Sequence, residues 1–136
     1  MAALTITAIR PTDNTTFSPI VKYGATLAVG VPVYLDPADR EHKAADNNAS
    51  AATRAVVGLT FSPGVDGGNG VLVTRGSVVL VGATMVEGAK YYLGATPGEI
   101  VPFADLATGQ PVVEIGSAVD ATTMKLGIDD IGATIA

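Results

Sequence analysis

Short runs of apolar and β-branched residues, separated by glycine and proline, dominate this sequence. The runs are rich in Val, Ile, Thr and Tyr, and none keeps the 3.6-residue apolar spacing of a long amphipathic helix. The 16 Gly and 8 Pro are scattered along the chain, which places turns between the runs. The pattern predicts an all-β fold, a small sandwich or barrel of short antiparallel strands.

Several segments fit this strand pattern, and the Gly and Pro residues between them predict the turns. Turns are expected at Pro63-Gly64, Arg75-Gly76 and Pro97-Gly98, and in the glycine-rich stretch of residues 66–70. Residues 36–52 fit either a short helix beginning at Asp36-Pro37 or a solvated loop. The predicted strands are Leu4–Ile9, Ile20–Tyr23, Pro32–Leu35, Ala55–Phe61, Gly70–Thr74, Ser77–Val81, Lys90–Leu93, Ile100–Phe103, Val112–Ala118 and Met124–Ile128.

An internal repeat relates two parts of the chain. Residues 25–35 match residues 83–93 at an offset of 83 − 25 = 58, with Ala, Thr, Gly, Tyr and Leu identical. At the same offset Val57-Gly58 falls on Ile115-Gly116. The repeat predicts two related units, about 25–62 and 83–120, within a single β domain of residues 20–136. The alternative is turn-and-strand chemistry that recurs in any β protein.

The N-terminal segment, residues 1–19, lies outside the repeat and has two interpretations. It is an extended arm that adds to a sheet edge of a neighbouring subunit, or it is the first strand of the protein's own sheet. Pro11 makes the stretch after it extended or turning. We expect an apolar edge at Ser77–Val81 that assembly would hide. The predicted protein-contact residues are Leu4, Ile6, Ile9, Phe17, Val79, Val81 and Phe103.

Composition bears on what the chain binds. Its 136 residues suit one domain, and 15% of them are charged, against about 25% in ordinary soluble domains. With so few charges, apolar surface is expected to be buried against partners or other copies of the chain. A net charge of −5 gives no basic footprint for nucleic acid. The strongly apolar stretch of residues 77–85 is too short to span a membrane, and the first residues lack a signal-peptide pattern.

Candidate chemistry is sparse, and we expect a protein that is not an enzyme. Cysteine is absent, and the single histidine, His42, lies in a charged stretch that is expected to be an exposed loop. These residues cannot supply an ordinary zinc site. The loop of residues 66–70 lacks the spacing of an EF-hand, and no phosphate-binding glycine motif occurs. No catalytic, cofactor-binding or metal residue is therefore predicted; a glycan-processing enzyme with paired carboxylates is the least favoured class.

Residues 71–81, followed by residues 87–93, resemble bacteriophage capsid decoration proteins, also called cement proteins, as do residues 43–45 and 55–59. Residues 92–102 and 115–118 are similar to modules of phage head and tail fibres. The first resemblance implies a structural virion protein, made in the host cytoplasm, that binds the outer capsid surface and stabilises contacts between major capsid subunits. By analogy it implies a homo-oligomer, a trimer before a dimer. The alternative is a fibre domain that contacts a host receptor.

Overall fold

Antiparallel strands make up this protein, whose computed structural model describes residues 3–48 and 50–135. They form a curled sheet, a half-barrel, with a small second sheet, and almost no helix, so the predicted all-β fold is confirmed. A 3-10 turn spans Phe103–Asp105. The strands are β1 (Ala8–Pro11), β2 (Thr16–Phe17), β3 (Val21–Lys22), β4 (Pro32–Leu35), β5 (His42–Ala44), β6 (Val56–Thr60), β7 (Asn69–Gly70), β8 (Leu72–Val81), β9 (Lys90–Leu93), β10 (Ile100–Pro102), β11 (Pro111–Ala118) and β12 (Thr123–Thr134).

The long strand β8 joins the two parts of the main sheet. The strand order is β10-β9-β11-β12-β8-β6-β4-β5, and β3 pairs with β7 separately. The first part of β8 pairs with β2 and β6, whereas its second part pairs with β1 and β12. Because β8 serves both parts, the sheet bends around it and encloses one main core.

Strand pairing in the two repeat units follows the same registers. The first unit contains the meander β5-β4-β6 and the second contains β10-β9-β11. Every pair compared below reappears after adding 58 to both residue numbers, so Tyr34 and Tyr92 are structural equivalents. The matching pairs are Leu35↔His42 with Leu93↔Ile100, Tyr34↔Lys43 with Tyr92↔Val101, Val33↔Gly58 with Tyr91↔Gly116, and Tyr34↔Val56 with Tyr92↔Glu114.

The equivalence extends to a fourth strand in each unit, β8 and β12. Leu59 lies opposite Val73, and Ser117 lies opposite Lys125. The first residues of these pairs differ by 117 − 59 = 58 and the second by 125 − 73 = 52. The connection in the second unit is therefore six residues shorter (58 − 52 = 6). Since β8 pairs with β12, the two units meet through their equivalent strands.

A second, smaller core surrounds Tyr23. This side chain is buried with Leu27, Val33 and Leu72, and its hydroxyl donates a hydrogen bond to the carbonyl oxygen of Ser62 at 2.8 Å. The glycine-rich stretch of residues 63–70 wraps the ring, and a Cβ atom at either Gly64 or Gly70 would collide with it. The turn glycines predicted from the sequence therefore also make room for an aromatic ring. The main core is formed by Ala45, Leu59, Val73, Val78, Leu80, Ala83, Met85, Tyr91, Leu93, Ile100, Val113, Ile115, Ala118, Met124 and Leu126.

The turn predicted at Arg75-Gly76 is wrong, because β8 runs through it without a break. Gly76 has a positive φ of 85° inside the strand. A Cβ atom there would collide with the carbonyl group of Asn14. Glycine is required here for an irregularity within the strand, where the N-terminal segment packs closely, and not for a hairpin.

The helix considered for residues 36–52 is also wrong. β5 lies in this stretch and pairs with β4, so His42 occupies a half-buried strand position and not an exposed loop. Its Nδ1 atom lies 3.3 Å from the carbonyl oxygen of Lys22. Arg40 turns the hairpin with a φ of 61°, at the position equivalent to Gly98, whose φ is 82° (98 − 40 = 58). The repeated backbone therefore places a non-glycine residue in the left-handed region.

Some other strands begin or end at residues that differ from the predicted ones, because the alternation of apolar and polar residues does not mark where a strand ends. The first strand begins at Ala8 and not at Leu4, and the last continues to Thr134. The short strand β2 was not predicted at all. In contrast, Pro32–Leu35 and Lys90–Leu93 have the predicted bounds, because each is a compact apolar run next to a glycine turn.

Candidate interaction surface

The N-terminal segment lies along the protein's own sheet. The Leu4 N–H donates to the carbonyl oxygen of Ile100 at 2.9 Å, and the Thr7 N–H donates to that of Val81 at 2.8 Å. The side chains of Leu4, Ile6 and Ile9 pack against the main core while keeping part of their surface exposed. Within the single chain, these three side chains therefore pack against the protein's own sheet and core.

Side chains of the β1–β2 connection bind the backbone of β8 beside its irregularity. The Ser77 N–H donates to Asn14 Oδ1 at 3.0 Å. The hydroxyls of Thr12 and Thr15 both donate to the carbonyl oxygen of Ser77, at 2.9 and 2.5 Å. These bonds satisfy backbone groups that regular strand pairing would otherwise satisfy. We call residues 12–15 the N-terminal clasp.

The predicted apolar edge at Ser77–Val81 is wrong. β1 pairs with this part of β8 on residues 78–81, and β12 pairs with residues 76–79. Val79 and Val81 are consequently half-buried inside the sheet. Where β8 has neighbours on both edges, at residues 78 and 79, it offers no free backbone to a partner.

Phe17 and Phe103 remain exposed, by 42% and 56%. Each ring makes an edge-to-face contact with a less exposed aromatic ring: Phe17 with Phe61 at a centroid distance of 4.9 Å, and Phe103 with Tyr92 at 5.6 Å. Such contacts orient a ring without covering it. Of the predicted contact residues, these two are exposed, whereas the other five are half-buried.

Other exposed apolar side chains were not among the predicted contact residues. Most lie outside the strands or at a strand end, whereas two of them lie within β6 and β12. A search for large residues just outside the apolar runs would have found several of them. The additional exposed large hydrophobic residues are Ile20, Leu35, Val57, Val65, Val86, Val119 and Ile131.

Several charged side chains form ion pairs or hydrogen bonds with residues close to them in sequence. Lys43 Nζ lies 2.8 Å from Asp36 and 2.9 Å from Asp39. Hydrogen bonds from this ammonium hold the pKa of both carboxyl groups below their usual value and raise the pKa of Lys43. Hydrogen bonds from the backbone N–H groups of Thr122 and Thr123 lower the pKa of Asp120.

Residues 3–48 and 50–135 show neither a metal-binding cluster nor a membrane-spanning helix. Within that part of the chain, no group of three or more His, Cys, Asp or Glu side chains is arranged to hold a metal ion. The same residues include no helix of the length and apolar character needed to cross a membrane. No protein-family model matches the chain, and no curated protein matches it.

Proposed function

We propose that this protein binds the outer surface of a phage capsid and stabilises the contacts between neighbouring major capsid subunits. The observation that carries the proposal is the pair of exposed, oriented rings at Phe17 and Phe103. Aromatic side chains dominate the binding energy of protein interfaces. A ring already held by a neighbouring ring loses little conformational freedom on binding.

The secondary structure that carries these two rings supports the same proposal. Phe17 belongs to β2, which pairs with β8, and Phe103 begins the 3-10 turn that follows β10. Both positions are therefore tied to the main sheet. A sheet that presents apolar groups at separate points suits a partner that is itself a broad protein surface, such as a capsid shell.

Capsid decoration tests the proposal directly. Purified capsids of the phage that encodes this chain are mixed with the full chain, with Phe17→Ala or with Phe103→Ala, and Val86→Ala serves as the control on an exposed apolar residue. We expect each phenylalanine variant to bind at least about tenfold more weakly and the control to bind like the parent chain. Decorated particles should retain DNA to a higher temperature than bare ones. A parent chain that leaves capsids bare, or that gives no added heat resistance, contradicts the proposal.

The proposed assembly is a homo-oligomer, a trimer before a dimer. Closed symmetry would cover apolar groups that the few charges of the chain cannot shield. Light scattering of the purified chain over a range of concentrations tests this. A monomer at high concentration, together with single separated copies on the particle, contradicts it.

A further inference from the structure

A groove lies between the two repeat units, and its lining includes none of the predicted contact residues. One part is a depression of about 470 Å³ whose lining includes Asn47, Arg54 and Gln110. The other part is a depression of about 300 Å³ whose lining includes Val57 and Ile128. Arg54 lines both, so the two depressions meet at its side chain. We call them together the seam groove.

The larger depression includes a buried acceptor that needs a donor. Asn47 is 3% exposed, and its Nδ2 donates to the carbonyl oxygen of Leu93 at 2.9 Å. Within the described residues, its Oδ1 has no hydrogen-bond partner. An unpaired buried carbonyl is costly. This end of the groove therefore favours a ligand that brings an N–H or O–H group.

The smaller depression opens onto the core. Val56 and Ile128 pack against the main core but keep part of their surface exposed, and Val57 is 40% exposed. Val113, which is buried, also lines this depression. An apolar side chain placed here would cover the exposed parts of Val56, Val57 and Ile128 and bury its own surface at the same time.

One edge of β12 is open beside this depression. β8 pairs with β12 at residues 123–126 only, whereas β11 pairs with it as far as Thr134. Over residues 127–134 the opposite edge has no strand partner among the described parts of the chain. An open edge of this kind accepts an extended peptide through main-chain hydrogen bonds.

Two acidic residues beside the groove indicate the charge of the peptide that would bind there. Asp129 and Asp130 lie on this segment and are exposed, and Asp130 also pairs with Arg54 at 3.2 Å. A second copy adding the same edge would place these acidic residues opposite each other, which is destabilising. A segment that carries lysine or arginine complements them instead.

We propose that the seam groove binds an extended segment of the major capsid protein, added as a strand to the open edge of β12. The segment places an apolar side chain against Val57 and Ile128 and a lysine or arginine beside Asp129. The inference rests on the proposed function for the identity of the partner, and it deepens that function by naming the kind of segment bound.

Paired variants of the full chain test the groove on the same phage capsids. Val57→Asp puts a charge in the apolar depression, and Asp129→Lys reverses the charge of the edge. Val65→Asp and Asp66→Lys are the matched controls, because Val65 and Asp66 are exposed in a turn that lines neither depression. We expect the groove variants to bind capsids about tenfold more weakly or worse and the controls to bind like the parent chain.

Hydrogen exchange on decorated particles provides a readout that does not depend on variants. Amides of residues 127–134 should exchange more slowly in the bound chain than in the free chain. If the parent chain decorates capsids while both groove variants bind equally well and these amides stay unprotected, the groove inference is overturned and the proposed function stands. If the parent chain leaves capsids bare, the proposed function fails, and a capsid segment as the ligand fails with it.

Discussion

Gly58 and Gly116 occupy equivalent positions in the two units, and each lies directly against the backbone of the next strand. A Cβ atom on Gly58 would come within 2.7 Å of the carbonyl oxygen of Val73. A Cβ atom on Gly116 would approach the carbonyl oxygen of Lys125 still more closely. Val73 and Lys125 are themselves equivalent in β8 and β12, so both units use glycine for the same close approach between strands.

We therefore expect Gly58→Ala and Gly116→Ala each to lower the free energy of unfolding by about 1–3 kcal/mol, because backbone atoms cannot move aside as a flexible side chain can. Urea unfolding followed by circular dichroism measures the change. Gly127→Ala is the control, since the nearest atom to its Cβ would be Glu114 Oε2 at 4.0 Å. Equal stability of the Gly116 and Gly127 variants would show that the strands are not in close contact at this position.

The N-terminal clasp predicts a second effect on stability. Asn14→Ala removes the acceptor of the Ser77 N–H, which should cost about 1 kcal/mol. Asp13→Ala changes the adjacent exposed residue and should leave the unfolding midpoint unchanged. Thermal unfolding of the two variants compares them. If Asn14→Ala melts with the parent chain, the bond to Ser77 contributes nothing in solution.

Tyr23 predicts a loss of stability in alkaline solution. Burial raises its pKa above the usual value. The folded state thus holds the phenolic proton more tightly than the unfolded chain does. The resulting stabilisation is complete below the unfolded value of about 10 and is lost as pH rises through the higher folded value.

Tyr23→Phe tests this dependence. At neutral pH the variant should be about 1 kcal/mol less stable, because the Ser62 carbonyl loses its donor. Above the unfolded pKa the difference from the parent chain should shrink, since phenylalanine has no proton to lose. Urea unfolding measured from neutral to alkaline pH gives the difference in stability between the variant and the parent chain at each pH. A difference that stays constant with pH would contradict the assigned role of the Tyr23 hydroxyl.

The pKa of Asp120 leads us to expect the opposite pH dependence, a loss of stability in acid. Backbone N–H groups of Thr122 and Thr123 lower its pKa in the folded state. Its stabilisation is therefore present above the unfolded value and disappears as pH falls through the lower folded value. We expect Asp120→Ala to be less stable than the parent chain at neutral pH and to converge with it in acid, as measured by thermal midpoints. Asp66→Ala, in an exposed turn, should melt like the parent chain at neutral pH.

Much of the fold could be predicted from local pattern. Pro32–Leu35 and Lys90–Leu93 form strands with the predicted bounds, since an apolar run beside a turn is a local signal. The offset of 58 residues also carries over into strand register: Gly58 pairs with Val33 as Gly116 pairs with Tyr91. A repeated sequence repeats its own local preferences, so it repeats the hairpins that these preferences build.

Of the predicted contact residues, the structure leaves Phe17 and Phe103 exposed and half-buries the other five against or within the protein's own sheet. Sequence alternation separates apolar from polar positions, but it does not say which apolar positions another segment of the same chain will cover. Leu4 and Val79 are apolar, as contact residues often are, but both are half-buried within the protein itself. Whether the two phenylalanines bind a partner stays a prediction.

By itself, then, the sequence determined an all-β chain of two related units, because strand propensity, turn residues and repetition are properties of neighbouring residues. Tertiary structure alone decided that β8 continues through Gly76, that the N-terminal segment lies along β8, and that, among the described residues, one edge of β12 has no strand partner beyond Leu126. The first two depend on segments more than 40 residues apart coming together. A glycine with positive φ looks the same in sequence whether it turns a hairpin or accommodates the carbonyl of Asn14 inside a strand.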